Sequence, residues 1–299
     1  MPANYLPDVL ETTEAERLAT GFIFTEGPLW HPDGYWYFVD LRRNHLHRIR
    51  PGQAAELVRK TEEGNGTTFD LKGNLIQCEG GGRRVTRLLS DGKIEVVADR
   101  YNGGRFNRPN DVVCRSDGSL YFTDPDKRMP YSAREIPGPA GVDNLWDGAC
   151  VYRVMPDGKV SILAHCEYPN GLAFSPDEKT LYVANTRSSK YIHAIELDAS
   201  GNMARRRIFA DMNEGTLPGI PDGMKVDSQG RVYCTGPGGI WVFTPDGKRV
   251  GIIQFPEQSV NFAFGGPDMK TLFCCAYTSV YTLRVKVPGN PHPWYKLKK

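Results

Sequence analysis

The segment YPNGLAFSPDEKTLYVAN, residues 168–185, contains the pattern that repeats through this chain of 299 residues. An Asn precedes a short apolar run, a polar Pro/Asp turn follows, and a second strand-like run ends the segment. Two such runs separated by a tight polar turn are typical of a β-hairpin.

Five further copies of the turn and its following strand can be aligned with this segment. They are HPDGYWYFVD (31–40), DLKGNLIQCE (70–79), RSDGSLYFTD (115–124), DSQGRVYCTG (227–236) and GPDMKTLFCCA (266–276). Each is followed by another alternating strand-like segment. Six repeats of at least two strands, at periods of roughly 40–60 residues, indicate propeller blades. We therefore predict an all-β fold, a six-bladed β-propeller formed by residues 1–299 as a single domain.

The two ends of the chain are less regular than the repeats. Residues 13–19 are compatible with a short helix or with a strand that closes the ring, and a propeller needs some closure to protect its edge strands. The C-terminal WYKLKK, residues 294–299, is predicted to be a solvated tail.

A polar residue recurs seven positions before the Asp, or its equivalent, in each of the six turns. These ring residues are Glu26, Asn65, Asn110, Asn170, Asp222 and Asn261. Asn and Asp also cap turns at strand starts, so any one of them alone means little. The strand before each hairpin should line the central channel, however, and six blades would then direct six oxygen-bearing side chains at one axis. A purely structural hydrogen-bonded ring is the alternative.

Such a ring favours a divalent cation. Two carboxylates, Glu26 and Asp222, repel each other in a confined channel unless a proton or a cation neutralises them. No His or Cys stands at a ring position, and hard oxygen ligands favour calcium, with magnesium and manganese as alternatives. A bound cation can polarise a carbonyl, and a neighbouring carboxylate can take a proton from water. Ester-like substrates suit this chemistry, and the chain has no Gly-x-Ser-x-Gly elbow, P-loop or dinucleotide fingerprint.

At these residues the sequence resembles the family that joins senescence marker protein (regucalcin), gluconolactonase and luciferin-regenerating enzyme. The resemblance rests on TEGPLW, FNRPNDVV, YPNGLAFSPD and IPDGMKVD, and RRVTRLLSDG is closest to the gluconolactonase branch. It implies a metal bound by Glu26, Asn170 and Asp222, with Asp222 as general base. It also implies that Asn110 and Arg108 contact the substrate, a sugar-derived lactone. Zinc and iron(II) join the possible metals, because metal identity differs among members.

Two departures from that family leave the identity of the lactone open. The run CEGGGRR, residues 78–84, lacks the His that gluconolactonase-like relatives often carry there. A loop insertion at about residues 126–148, DKRMPYSAREIPGPAGVDNLWDG, is either a substrate lid or a surface loop, since long loops are often functional. Tyr131 within it, and Asp124 just before it, are further candidate substrate-binding residues; Asp124 can equally cap a turn.

Glu79 follows an inner strand and could reach the channel. Asn185 resembles a family position near the metal site, and a turn-capping role is the alternative. No metal role is expected for the six histidines. A formal net charge of +2 gives no basic footprint for nucleic acid. No apolar run is long enough to span a membrane, and the N-terminus lacks a secretory signal. Seven scattered cysteines suit a reducing cytosol, so a cytoplasmic location is expected. The oligomeric state is left open.

Two other functions compete with the lactonase prediction. One is a phosphotriesterase that uses the same site, and the other is a calcium-binding propeller without enzymatic activity.

Overall fold

Six four-stranded antiparallel sheets make up the computed structural model, which describes residues 5–125, 149–187, 189–214 and 216–297. The strands are β1 (Glu16–Thr20), β2 (Thr25–His31), β3 (Tyr35–Asp40), β4 (His45–Ile49), β5 (Glu56–Lys60), β6 (Gly64–Phe69), β7 (Leu75–Glu79), β8 (Arg84–Leu88), β9 (Ile94–Ala98), β10 (Arg100–Tyr101), β11 (Gly104–Arg105), β12 (Val112–Cys114), β13 (Leu120–Asp124), β14 (Ala149–Val154), β15 (Val160–Cys166), β16 (Pro169–Phe174), β17 (Thr180–Asn185), β18 (Tyr191–Leu197), β19 (Met203–Asp211), β20 (Met224–Val226), β21 (Val232–Gly236), β22 (Gly239–Phe243), β23 (Arg249–Ile253), β24 (Asn261–Gly265), β25 (Thr271–Ala276) and β26 (Ser279–Arg284).

The sheets are the blades of a propeller. Blades 1 to 5 are β2–β5, β6–β9, β12–β15, β16–β19 and β20–β23, and each runs from the channel outward in chain order. Blade 6 consists of β24, β25, β26 and β1, while β10 and β11 form a small separate hairpin. The prediction of an all-β six-bladed propeller is confirmed. Apolar side chains between neighbouring blades form the core, and the outermost strands are much more exposed.

The N-terminal strand closes the ring. β1 pairs antiparallel with β26, so that Glu16 lies opposite Thr282 and Thr20 opposite Ser279. Of the two alternatives for residues 13–19, the strand is therefore the observed one. This pairing joins the two ends of the chain and covers the outer edge of β26, which would otherwise offer unpaired backbone groups.

The innermost strands approach one another closely around the channel. β2, β6, β12, β16, β20 and β24 each contact the next, and β24 contacts β2. Four of the six ring residues are followed by glycine, at Gly27, Gly66, Gly171 and Gly223. A Cβ at any of these glycines would lie 2.0–2.2 Å from an atom of the next blade's innermost segment. Backbone hydrogen bonds cross this gap, for example from the Gly171 N–H to the Asp222 carbonyl at 3.0 Å.

The C-terminal segment covers the far end of the channel. A short helix, α1 (Pro293–Leu297), lies beside a cavity of about 320 Å³ there. The Trp294 ring lies 4.7 Å from that of Phe69, and the Tyr295 hydroxyl donates to the Trp30 carbonyl. The prediction of a solvated tail is thus wrong for Trp294 and Tyr295, because their rings pack against blades 1 and 2.

Two further findings concern membrane-spanning helices and the cysteines. No helix in the described part of the chain is long and apolar enough to cross a membrane. All seven cysteines are free thiols, and six of them are buried.

Candidate active site

A cavity of about 370 Å³ opens where the innermost strands begin, at the end of the channel opposite α1. Five of the six ring residues line this site cavity: Glu26, Asn65, Asn110, Asn170 and Asp222. Arg108, another candidate from the sequence, lines it too. The remaining walls come from Phe24, Leu41, Arg42, Glu63, Gly80, Pro109, Tyr168, Thr186, Arg187 and Ile220. The position seven residues before each turn thus identified side chains from five blades that line one cavity.

Glu26 has one carboxylate oxygen fixed by neighbours. Its Oε2 accepts hydrogen bonds from the Gly27 N–H at 2.9 Å and from Asn261 Nδ2 at 2.8 Å. The Asn261 amide is itself held, because its Oδ1 accepts from the Phe262 N–H at 2.8 Å. Asn261 is the one ring residue that does not line the cavity, and its hydrogen bond orients Glu26 instead.

Asn170 is held through its amide nitrogen, which leaves its amide oxygen pointing away from Thr186. Its Nδ2 donates to Thr186 Oγ1 at 2.9 Å, and the Thr186 hydroxyl donates to the Pro221 carbonyl at 2.7 Å. Because the Thr186 hydroxyl donates its proton to Pro221, it accepts from Asn170. The amide nitrogen of Asn170 therefore faces Thr186, and the amide oxygen points away. Asn170 Oδ1 is buried and accepts no hydrogen bond from any residue that the structure describes. A buried acceptor without a donor is costly, and a cation is one group that would satisfy it.

Backbone hydrogen bonds hold the segment that carries Asp222. Its N–H donates to Thr235 Oγ1 at 3.1 Å, and its carbonyl accepts from the Gly171 N–H of blade 4. The preceding residue, Pro221, is the one that Thr186 binds. The backbone carrying Asp222 is therefore tied to blade 4 at two points next to Asn170.

The channel concentrates negative charge below this cavity. Burial raises the pKa of Glu26 to about 7, helped by the charge of Asp111 and opposed by Lys225. Burial also raises the pKa of Asp111, opposed chiefly by the charge of Lys225. Three carboxyl groups, including Asp222, thus share the region with the Lys225 ammonium group. A divalent cation would favour their ionised forms, because it offsets the repulsion between them.

Among the described residues, no three His, Cys, Asp or Glu side chains come together as a metal site. The cavity instead offers the carboxylates of Glu26 and Asp222 and the amide oxygen of Asn170, while its third carboxylate, Glu63, pairs with Arg108. This all-oxygen set fits calcium or magnesium chemistry better than a typical zinc site. None of the six histidines lines the cavity.

Arg108 reaches the cavity over a glycine. Its guanidinium forms a close ion pair with Glu63, and a Cβ at Gly80 would lie only 2.9 Å from Arg108 Cγ. The backbone N–H groups of Asn107 and Arg108 donate to the two oxygens of Asp124, at 2.8 and 2.5 Å. Asp124 is fully buried and does not line the cavity, so it positions the segment that carries Arg108.

The role of Asp124 is repeated in other blades. Asp40, Glu79 and Asn185 also end the second strand of their blades. Each accepts a hydrogen bond from the backbone just before the innermost strand, as Asn185 does from the Tyr168 N–H at 2.8 Å. Glu79 is in addition held by Arg59 and Arg84 and does not line the site cavity.

The sequence reasoning missed Thr186 and the orienting role of Asn261. Thr186 directly follows Asn185 and could have been noticed as a hydroxyl at the channel end of β17. The role of Asn261 depends on a contact with Glu26, 235 residues away, which no local signal reveals. Tyr131 and the insertion at 126–148 lie outside the described residues.

Comparison with known proteins identifies a single family along most of the chain. The model of the SMP-30/Gluconolactonase/LRE-like region matches residues 24–278. A gluconolactonase of Zymomonas mobilis is 32% identical over 301 positions, covering 93% of this chain and 83% of the relative. The pentonolactonase XacC of Haloferax volcanii is 30% identical, covering 83% of this chain and 79% of the relative.

Solved structures agree with this assignment. A gluconolactonase structure from Xanthomonas campestris superimposes with a TM-score of 0.83 at 31% identity, covering 96% of this chain and 94% of that one. A calcium-binding regucalcin from Agrobacterium tumefaciens has a TM-score of 0.75 at 20% identity, covering 93% and 96%, and shares the fold.

The raised pKa of Glu26 predicts how the stability of the metal-free protein depends on pH. The folded state holds the Glu26 proton up to about pH 7, whereas the unfolded chain releases it near the ordinary value of 4.5. The contribution of Glu26 is thus fully present below pH 4.5 and is lost as pH rises to about 7. The free energy of unfolding should fall by at most about 3 kcal/mol over this window.

Urea unfolding in chelator at a series of pH values measures this slope, with Glu26→Gln as the matched variant. Because glutamine does not titrate, the variant should lose the part of the slope due to Glu26. Identical slopes for the two proteins would contradict the shifted pKa.

Proposed function

The chain belongs to the SMP-30/gluconolactonase/LRE-like family, and on this basis we propose that it hydrolyses a sugar-derived lactone to the open-chain aldonic acid with one divalent cation. The observation that carries the proposal is Asn170 Oδ1, which is buried without a hydrogen-bond donor among the described residues, in the cavity that Glu26 and Asp222 also line. The names of the lactonase relatives support the substrate class.

Glu26, Asn170 and Asp222 would hold the cation. Their oxygens favour calcium, with magnesium, manganese, zinc or iron(II) as alternatives. When bound, the cation would polarise the lactone carbonyl and acidify a water. The protein's own contribution is to hold these oxygens in place: Asn261 and Gly27 orient Glu26, and Thr186 orients Asn170.

Asp222 is the proposed general base and thus the catalytic residue. Water adds to the carbonyl carbon as Asp222 takes its proton, and the ring C–O bond then breaks. Asp222 then gives this proton to the leaving ring oxygen, which becomes a hydroxyl group, and the new carboxylic acid releases its proton to solvent. Asn110 and Arg108 would bind the lactone and orient it, while Asp124 would act through the backbone of Arg108. A direct contact from Tyr131 remains a prediction.

Removal of the metal should abolish the activity. Protein stripped with chelator and given back single metal ions is assayed on a panel of aldonolactones with a pH indicator, because hydrolysis releases acid. We expect activity to vanish with chelator and to return with one or more ions. Each ion is also tested without protein, since lactones hydrolyse spontaneously.

Persistent activity in chelator would contradict the metal requirement. Absence of turnover with any lactone and any ion would overturn the lactonase proposal. In that case, hydrolysis of a phosphotriester by the same metal-loaded samples would point to the competing enzyme, and inactivity on both substrates to a non-enzymatic propeller.

Asp222→Asn should lower kcat at least about 100-fold, the usual minimum for loss of a general base. The assay is run at saturating metal, and bound metal is measured in parallel, because Asp222 is also a proposed ligand. The control is Asp246→Asn, which removes a carboxylate from an exposed turn of the same blade. Turnover at the wild-type rate by Asp222→Asn would rule out the base assignment.

Thr186→Val should weaken divalent-ion binding at least about tenfold, the typical cost of losing a residue that orients a ligand. Valine keeps the shape of threonine but cannot accept from Asn170 or donate to Pro221. Isothermal titration calorimetry of the metal-free protein measures the affinity, and Thr186→Ser should retain it.

A matched control is Thr68→Val at the far end of the channel, which also removes a buried hydroxyl, one that contacts His292 Nε2 at 3.2 Å. If both valine variants bind the ion equally well, Thr186 has no positioning role.

A further inference from the structure

Three arginines from three different blades line the site cavity: Arg42, Arg108 and Arg187. Arg108 is paired with Glu63, and the guanidinium of Arg187 stacks on the Tyr168 ring at 4.6 Å. Arg42 is exposed, and it makes neither an ion pair nor a hydrogen bond with any residue that the structure describes. Its positive charge is therefore available at the rim of the cavity.

The backbone that carries Arg42 is well anchored. Arg42 is the central residue of a 3₁₀ turn, Leu41–Arg43, that follows β3. The Leu41 N–H donates to the Phe24 carbonyl at 2.9 Å, and Asn44 ends the turn in the left-handed conformation. The next side chain, Arg43, is engaged by the Gly21 carbonyl at 2.8 Å and by Asp40. An arginine on so fixed a turn can bind a ligand without first ordering a loop.

The acidic residues that line the cavity do not provide a counter-charge for Arg42. They are Glu26, Glu63 and Asp222. Glu63 is matched by Arg108, and under the proposed function Glu26 and Asp222 are matched by the cation. A planar guanidinium pairs well with carboxylate, sulfonate or phosphate oxygens, often through two parallel hydrogen bonds.

We propose that the preferred lactone carries an anionic group at the end remote from its carbonyl, and that Arg42 binds this group at the rim. The carbonyl would lie on the cavity floor, near the buried Asn110 and Asn170, while the far end of the sugar reaches the exposed turn. This inference rests on the proposed lactonase function and adds the charge of its substrate.

Matched pairs of lactones test the proposal in the metal-loaded enzyme. One pair is D-glucono-1,5-lactone and its 6-phosphate, and the other is D-glucono-1,4-lactone and D-glucaro-1,4-lactone, which adds a terminal carboxylate. For at least one pair, kcat/KM of the anionic member should be about tenfold higher, mainly through KM, and the ratio should fall as salt screens the charge.

Arg42→Met should bring the ratio of the preferred pair close to one, and Arg42→Lys should restore part of it. Arg205→Met removes the same charge from an exposed position on β19, away from the cavity, and should leave the ratio unchanged. A wild-type ratio at or below one for both pairs would overturn the proposal, as would a ratio that Arg42→Met does not alter.

If no lactone is hydrolysed, the proposed function fails first, and binding then decides the role of Arg42. Isothermal titration of 6-phosphogluconate and gluconate into the metal-loaded protein compares an anionic terminus with a neutral one. Tighter binding of the phosphate by the wild type, lost in Arg42→Met, would support an anion site at the rim. Equal binding of the two acids would exclude it.

Discussion

The close approach of the six innermost strands is the constraint on which the site depends. Glycine after a ring residue lets the next blade come within a distance that any side chain would prevent, as at Gly171, where a Cβ would lie 2.0 Å from the Asp222 carbonyl oxygen. Gly223 holds the same relation to Asn261. Alanine at such a position would have to push two blades apart, because the obstructing atom at Gly171 belongs to the backbone. The glycines thus set the width of the channel and with it the spacing of the oxygens that line it.

Within this narrow channel, neighbouring polar side chains orient Glu26 and Asn170. Asn261 of blade 6 binds Glu26 of blade 1, and Thr186 links Asn170 of blade 4 to the residue before Asp222 in blade 5. Buried polar groups that lack a partner are costly, so the few that remain are informative. One such group among the described residues is the amide oxygen of Asn170. It lies in the cavity where we propose that a cation binds.

The sequence alone revealed the fold and most of the cavity, because both follow from a repeat. Turn chemistry and strand patterning recur six times, and a fixed count of seven residues picks out side chains that do meet in space. What it could not reveal is the division of labour among similar amides. Asn170 and Asn261 occupy equivalent positions. The amide oxygen of Asn170 points away from Thr186 and accepts no hydrogen bond from a described residue, whereas both ends of the Asn261 amide are hydrogen-bonded. That difference arises from contacts between blades. The repeat also contains a pattern that the sequence analysis did not use. Polar residues end the second strand of four blades and accept backbone hydrogen bonds there: Asp40, Glu79, Asp124 and Asn185.

The pairing of β1 with β26 has a consequence for how the protein reaches its native state. Glu16 and Thr282 are partners although most of the chain separates them, so the final blade cannot be completed until the C-terminal repeats have been synthesised. Contacts between residues so distant in sequence are slow to form, because the entropy of closing a long loop must be overcome first. The proposed ligands Glu26, Asn170 and Asp222 belong to blades 1, 4 and 5, and their mutual distances are defined only in the closed ring. Tight binding of the proposed cation would therefore belong to the last stage of assembly, because a nascent chain whose C-terminal strand is still being synthesised has no complete site.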